Sequence, residues 1–489
     1  METTERSAPD YRLIVILLSG AFVALLSNTF LNVALPSIKD DFGITTSTVQ
    51  WVSTAYMLIS GIVIPTTAFL MQRFSARKLF LAAMLLFLSG TLIAGFSPAF
   101  PVLILGRMVQ ASGSAILMPL LMNVMITSFP PERRGTAMGL FSLVMFFAPA
   151  IGPTLSGFIV QSYSWHYLFF IMVPVLLVVL SIGWFKLPET DTGYSTRIDI
   201  PSVILSTLGF GGILYGFSSA GNSGWLRADV ILALLVGFTA VFFYVRKQTR
   251  MREPMLNFSV YKFPMFTLSS LLIGTMNMAL FSGMILMPIY LQDIQGISPL
   301  ETGLLLLPGA LIMGFMSPVS GKLFDMFGPR NLAIFGLILT VSTTFFFSRL
   351  TFDTSYTFLI MLYSIRAFGM TLVMTPVMTN GMNQLTPKLT PHGSSINSML
   401  NQVSGAIGTA LLITIMQNTM NARLSGVSQP DAMMMDQAML DGINFAFLIA
   451  TLLLAIALGL SFFLKRVTTD EVLGDSMTKA RPIETAEEK

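Results

Sequence analysis

A chain of 489 residues that is 54% hydrophobic and only 11% charged is too apolar for a soluble globular protein, which carries about 25% charged residues. Its net charge of +4 is small for this length and is better explained by basic loops than by nucleic-acid binding. The absence of cysteine excludes disulfides and thiolate metal sites, and two histidines, His166 and His392, are a poor basis for a metal centre. No metal or organic cofactor is expected.

A charge-mixed leader (Glu2, Glu5, Arg6, Asp10, Arg12) precedes the first apolar run and lacks a small-residue cleavage site. That run therefore reads as a spanning helix and not as a removed signal peptide. Apolar runs of about 20 residues then recur along the chain. They lie at 12–35, 49–71, 78–98, 101–127, 137–160, 166–187 and 199–220 in the first part. The second part adds 227–246, 265–292, 301–323, 330–349, 355–380, 394–418 and 440–464. Fourteen helices put both termini on one side. With the N-terminus inside, 22 of the 28 basic residues fall on the inner side and only Lys39, Arg227, Arg349 and Arg423 on the outer. The positive-inside rule thus predicts a multi-pass membrane protein with both termini cytoplasmic. The outer segment 419–440, with its run of three methionines, reads as a solvated hairpin, and the polar tail after Arg466 as disordered.

The stretch 100–161 is the most informative. Arg107 is stranded inside one apolar run, and a charge in hydrocarbon costs about 3 kcal/mol, so intramembrane charge is functional by default. The plainer alternative is a structural arginine satisfied by backbone carbonyls. Gln110, three residues on, shares its helical face. Past the short loop PPERRG, the next run is interrupted by Ala-Pro and by Gly152-Pro153, with Gly157 beyond. Such residues mark close packing, bending, or both.

Two loops repeat. Residues 68–80 read AFLMQRFSARKLF and 321–333 read GKLFDMFGPRNLA, sharing a leucine, an aromatic and a basic residue at matching offsets. Arg107 and Arg366 match as well, each with a later proline, Pro119 and Pro376. Parallel halves of this kind occur in secondary transporters. The expected organisation is a six-helix half at 12–187, two linking helices at 199–246, a second six-helix half at 265–465 and a cytoplasmic tail at 466–489.

On these residues the chain resembles the major facilitator superfamily, and within it the fourteen-helix drug:proton antiporters of the EmrB/QacA type. The family's G-x-L-x-D-x-x-G-R-K loop is matched by Gly321, Leu323, Asp325, Gly328 and Arg330. In the first half it is eroded: Ala68, Gln72 and Ser75 stand where Gly, Asp and Gly are usual, while Arg73, Arg77 and Lys78 remain. Arg107, Gln110 and Gly113 match a second family motif, and Gly152, Pro153 and Gly157 match one associated with antiporters. The NVALP end of helix 1 (Asn32–Pro36), QWVSTAYML (Gln50–Leu58), Asp199 and the loop without its acid resemble the lincomycin-exporter-like subgroup. The resemblance implies an all-α membrane fold, two pseudo-symmetric six-helix halves and two extra linking helices. It also implies export by alternating access, driven by the proton gradient, from a protein that is no enzyme and is usually a monomer.

One departure matters. Relatives that export cationic drugs often carry an acid in helix 1, where this chain has Ser27 and Asn28, and no Asp or Glu falls in the middle of any span. Neutral, zwitterionic or anionic amphiphiles, lincosamide-like compounds among them, therefore fit better than monocations. The expected cavity residues are Arg107, Gln110, Asn28, Asn32, Arg366 and Asn401, among further dispersed asparagines such as Asn123, Asn277 and Asn380. Gly152, Pro153 and Gly157 are expected to let helix 5 approach the opposite half and bend. Arg73, Arg77, Asp325 and Arg330 are expected at the cytoplasmic gate, the acid sitting near a helix N-terminus. A lipid or glycolipid flippase, or an endogenous metabolite exporter of the same fold, is the main alternative. A membrane-embedded enzyme would need paired acids, and a sensor or scaffold would have no use for midplane arginines.

Overall fold

The computed structural model describes residues 11–188, 199–425 and 431–467. The charged leader before Tyr11, Arg197, the centre of the 419–440 segment and the tail from residue 468 onward lie outside the described residues. In hydrocarbon each backbone N–H must bond within its own segment, so the apolar runs become helices. Fourteen long ones follow in order. They are α1 (Tyr11–Phe42), α2 (Trp51–Arg73), α3 (Ala76–Gly95), α4 (Phe100–Ser128), α5 (Arg134–Ser162), α6 (Met172–Lys186) and α7 (Ile200–Ser223). Then come α8 (Ala228–Gln248), α9 (Pro264–Ile289), α10 (Pro299–Phe327), α11 (Pro329–Phe347), α12 (Tyr356–Asn383), α13 (Thr390–Leu424) and α14 (Ala432–Ser461). Thirteen segments of the described residues are long and apolar enough to cross a membrane, α6 counting together with the short helix Tyr167–Phe170 ahead of it. With the 29 residues of α5, every expected span has a helix.

Helix starts follow from local chemistry. The Asp199 carboxylate accepts the Ser202 N–H at 3.1 Å and opens α7. Ser298 and Glu301 form a capping box at α10, and Asp431 accepts the Met434 N–H ahead of α14. The two repeated loops turn differently. Gly328, at φ +77°, alone separates α10 from α11, a conformation that favours glycine. In the first repeat Phe74 and Ser75 make the link, and the Ser75 hydroxyl caps α3 by accepting the Lys78 N–H. The 419–440 segment is more helical than expected. α13 runs out to Leu424 and α14 starts at Ala432, an Arg423–Asp441 ion pair of 3.0 Å ties the two, and Met433, Met434 and Met435 are exposed.

Each of the first six helices packs like the helix eight places later. α1 lies against α4, α5 and α6, as α9 lies against α12, α13 and α14. α4 packs on α2 and α3, as α12 packs on α10 and α11. The two sets meet along two seams, α5 with α10 and α2 with α13, which the same exchange interconverts. α7 and α8 pack on each other, and α7 also covers the α2–α13 seam by touching both its helices. The linking pair is thus peripheral only in α8, whose most apolar window is 22% buried against 72% for α4.

The seams are tight at one end. On the face where α1 begins and α14 ends, here the terminal face, Phe266, Met382, Leu385, Ile396 and Met399 join the hydrophobic core of the first set. At the other end Leu286, Leu305, Phe347, Leu359 and Leu440 form a separate core from the second set alone.

Candidate functional site

Arg107 is fully buried on α4 and makes its contacts without a carboxylate. Its Nε donates to the Val52 carbonyl on α2 at 3.4 Å, one terminal nitrogen to Gln110 Oε1 at 2.5 Å, and the other to Asn28 Oδ1 on α1 at 3.1 Å. The guanidinium lies over the Tyr56 ring of α2, 4.1 Å from its centre. Gln110, itself buried, donates to Ser27 on α1 at 3.0 Å and to Thr91 on α3 at 2.9 Å. Two adjacent side chains of α4 thereby tie α1, α2 and α3 together. Ser27 and Asn28, the residues standing where some relatives have an acid, are the ones that meet this pair. A fork of fixed N–H donors spreads its charge over neutral oxygens and a π face, so among the described residues the site holds a cation bonded to no acid.

Arg366 occupies the equivalent place on α12 and is also buried. It donates to Thr344 Oγ1 on α11 at 3.2 Å and to the Ala279 carbonyl on α9 at 2.7 Å. The position three residues on is Gly369, which packs against Gly336 instead of carrying a glutamine. A Cβ at Gly283 would stand 2.7 Å from the guanidinium, so α9 passes close to the arginine at this glycine. Asn401 is half-buried on α13 and outside both networks. Asn32 lies on α1 with its side chain outside the described residues. Asn123 Oδ1 and Asn277 Oδ1 are buried with no hydrogen-bond partner among the described residues, while Asn380 binds the chain at Lys465 and Val467 beyond α14.

The glycines of α5 divide by height. Near the terminal face a Cβ at Gly139 would meet Ser317 and Pro318 of α10 at 2.7 Å, and one at Gly321 would strike the Gly135 carbonyl. This is where α5 approaches the opposite set. Gly152 instead packs against Thr29 of α1, within its own set. At Gly157, and at Gly303 on α10, an added Cβ would meet nothing within 4 Å. α5 is helical throughout, and the Pro153 side chain lies outside the described residues. Small residues therefore serve close approach at one end and border open space at the other.

Both seams are hydrogen-bonded at the terminal face. Asp325, at the end of α10, accepts the N–H groups of Gly135 and Thr136 at 2.8 and 2.9 Å and the Thr136 hydroxyl at 2.8 Å. A carboxylate on the first N–H groups of α5 meets both unpaired donors and the positive end of the helix dipole. Arg466 donates to the Asp325 carbonyl, and Arg134 donates to Asn383 Oδ1 at 3.3 Å. Ser142 and Thr375 join α5 to α12 at 3.0 Å. On the other seam Thr67 pairs with Ser395 at 2.8 Å, and the Gln72 amide reaches His392 at 2.7 Å. Of the remaining gate candidates, Arg77 donates to the Trp184 carbonyl at 2.7 Å, Arg73 lies 5.6 Å from the Phe74 ring centre, and Arg330 is exposed. Asp325 thus reaches a helix of the opposite set, and the expected loop basic residues do not join it.

Tyr56, Thr91, Thr344 and His392 were not singled out by sequence. Tyr56 sits in the QWVSTAYML run with spacing any buried aromatic would share, and His392 has no partner within its own segment.

Comparison with known proteins bears on what such an arrangement does. The family model described as Major Facilitator Superfamily matches residues 17–409. The chain is 44% identical over 469 residues to the uncharacterized MFS-type transporter YcnB of Bacillus subtilis, covering 95% of this chain and 98% of that one. It is 42% identical over 449 residues to the lincomycin resistance protein LmrB of Listeria monocytogenes, covering 92% and 95%. In overall shape it is similar to the human organic anion transporter MFSD10, with a TM-score of 0.64 and 13% identity over 92% of this chain and all of that one, a likeness of fold alone.

Proposed function

This chain belongs to the Major Facilitator Superfamily and is a multi-pass membrane transporter, not an enzyme, and we propose that it exports amphipathic compounds across a bacterial cytoplasmic membrane in exchange for protons. One observation carries this reading: two seams related by the same exchange are closed at the terminal face, while Gly157 and Gly303 border open space away from it. A pair of interchangeable seams is what rocking between two access states requires. Basic residues crowd the terminal face, so it is the cytoplasmic one, and the conformation faces outward.

In this scheme the halves at 12–187 and 265–465 move as bodies, and α7 rides on the α2–α13 seam. Arg107, Gln110 and Asn28 form the charge-responsive centre. Asn32, Arg366 and Asn401 contribute to the path, and Gly152, Pro153 and Gly157 give α5 its room to bend. Because Ser27 and Asn28 replace an acid and already bond Gln110 and Arg107, the centre repels monocations and suits neutral, zwitterionic or anionic lipophiles. Resistance to lincomycin, in the name of the Listeria relative, supports export of a drug-sized compound. The transporter acts as a monomer.

The test is reconstitution in vesicles with an imposed pH gradient and an internal pH dye, challenged with lincosamides, neutral lipophiles and lipophilic cations. Compound-dependent proton movement in the wild type, absent in Arg107→Ala, is the expected result. No response to any class while the gradient holds would overturn drug:proton exchange, and fluorescent-lipid translocation would then be measured.

A further inference from the structure

The repeat exchange that maps α5 onto α13 also maps Gln72 onto Asp325. Where Asp325 holds the first N–H groups of α5, Gln72 faces His392 in the first turn of α13. His392 is 3% exposed, and both its ring nitrogens are used. Nδ1 accepts the backbone N–H of Asn257, from the segment ahead of α9, at 3.1 Å. A nitrogen that accepts carries no proton, so Nε2 must carry it; the Gln72 amide nitrogen stands 2.7 Å from Nε2, and because two N–H donors cannot pair, the amide must turn over and offer its oxygen to the ring. The contact is therefore specific for the neutral ring in one tautomer. A proton on Nδ1 would set two N–H groups face to face and leave a cation enclosed in the seam.

We propose that His392 is a proton-responsive catch on the cytoplasmic end of the α2–α13 seam, neutral and engaged when the seam is shut, protonated and released when it opens. The inference rests on the rocking of the two halves described above. It makes the two seams chemically unlike: one is held by a carboxylate on a helix N-terminus, the other by an uncharged imidazole–amide pair. The ionisable side chains on the surrounding elements at this end are Arg73 on α2, Asp199 at the start of α7, Lys388 in the turn before α13, and Arg250, Arg252, Glu253, Tyr261 and Lys262 in the segment before α9. Lys388, four residues before His392, is a like charge that opposes a positive ring. Once the seam parts, water solvates the ring, and a free imidazole takes its proton near pH 6.5. Acid on the cytoplasmic side therefore favours the inward-open state.

The native chain has no cysteine, so a spin-label pair can be placed without background. Labels at Phe74→Cys and Pro387→Cys, both at exposed positions flanking this seam, report its opening in nanodiscs by pulsed electron resonance. The expected result is a short distance at alkaline pH and a growing long-distance population as pH falls through about 6–7. His392→Gln should abolish the pH dependence. Gln72→Glu should reverse it, because a protonated ring then gains a carboxylate partner. Asp325→Asn, which weakens the other seam, should lengthen the distance at every pH. Opening that follows pH unchanged in His392→Gln would overturn the proposal. So would a pH-independent wild type that still opens in Asp325→Asn. If neither acid nor Asp325→Asn moves the labels, the rocking of the halves falls with it.

Discussion

The two buried arginines occupy equivalent places in the repeat and are held very differently. Arg107 shares its charge with a glutamine, an asparagine, a backbone carbonyl and the face of a tyrosine, drawing on α1, α2 and its own helix. Arg366 has a threonine hydroxyl and one carbonyl, with Gly283 and Gly369 where larger side chains would crowd it or help it. The repeat thus conserves the position of the charge and not its setting. One half has elaborated the site into a network that reads four helices, and the other has kept it as a tie. In the proposed exchange both halves must pack alike, but substrate and proton need be sensed in only one.

The largest expected effect concerns the frame that both arginines depend on. Gly321→Leu would drive a side chain into the Gly135 backbone and wedge the α5–α10 seam. Transport in vesicles should drop at least about tenfold, while Gly303→Ala, which points into open space, should stay within about twofold. Equal losses in the two variants would deny that this seam closes at one end only. The arginines come next. Hydrogen bonds to a charged group are worth about 1.5–3 kcal/mol, so Arg107→Ala should lower the thermal unfolding midpoint more than Arg366→Ala and should alone abolish compound-driven proton movement. A larger transport defect in Arg366→Ala would invert the assignment.

The smallest effect lies outside both halves. Burial pushes the Asp199 carboxyl up, but hydrogen bonds from Lys247 and Ser202 outweigh it and hold the group below the usual carboxylate range. A depressed carboxyl contributes stability above its unfolded value, near 3.9, and loses it only as pH falls through the lower folded one. Asp199→Ala should therefore cost about 1 kcal/mol, as for other helix caps, by an amount constant between about pH 5 and 8. Transport should be intact. A marked transport loss would place the linking pair inside the mechanism.

Much of this was legible in the chain itself. Fourteen apolar runs dictate fourteen helices because hydrocarbon leaves the backbone no other partner. Arg107 and Arg366 announced themselves as charges in apolar runs. The pairing of Arg107 with Gln110 followed from helical spacing, and the significance of Ser27 and Asn28 from the acid they replace. The sequence puts Asp325 beside a helix end, and in the fold its carboxylate accepts the first N–H groups of a helix. That the helix is α5 of the opposite set, more than 180 residues away in sequence, follows from no local pattern. The same holds for His392, which looked like a stray histidine until α2 and the segment before α9 were brought to its two nitrogens. Gly152 was read as a point of approach between halves, but its neighbour is α1, and the approach is made by Gly135 and Gly139. What a span is, the sequence determined alone, because hydrophobicity and hydrogen bonding act along the chain. Which spans touch, at which height, and whether a seam stands open or shut was decided by tertiary packing, because those contacts join residues hundreds of positions apart.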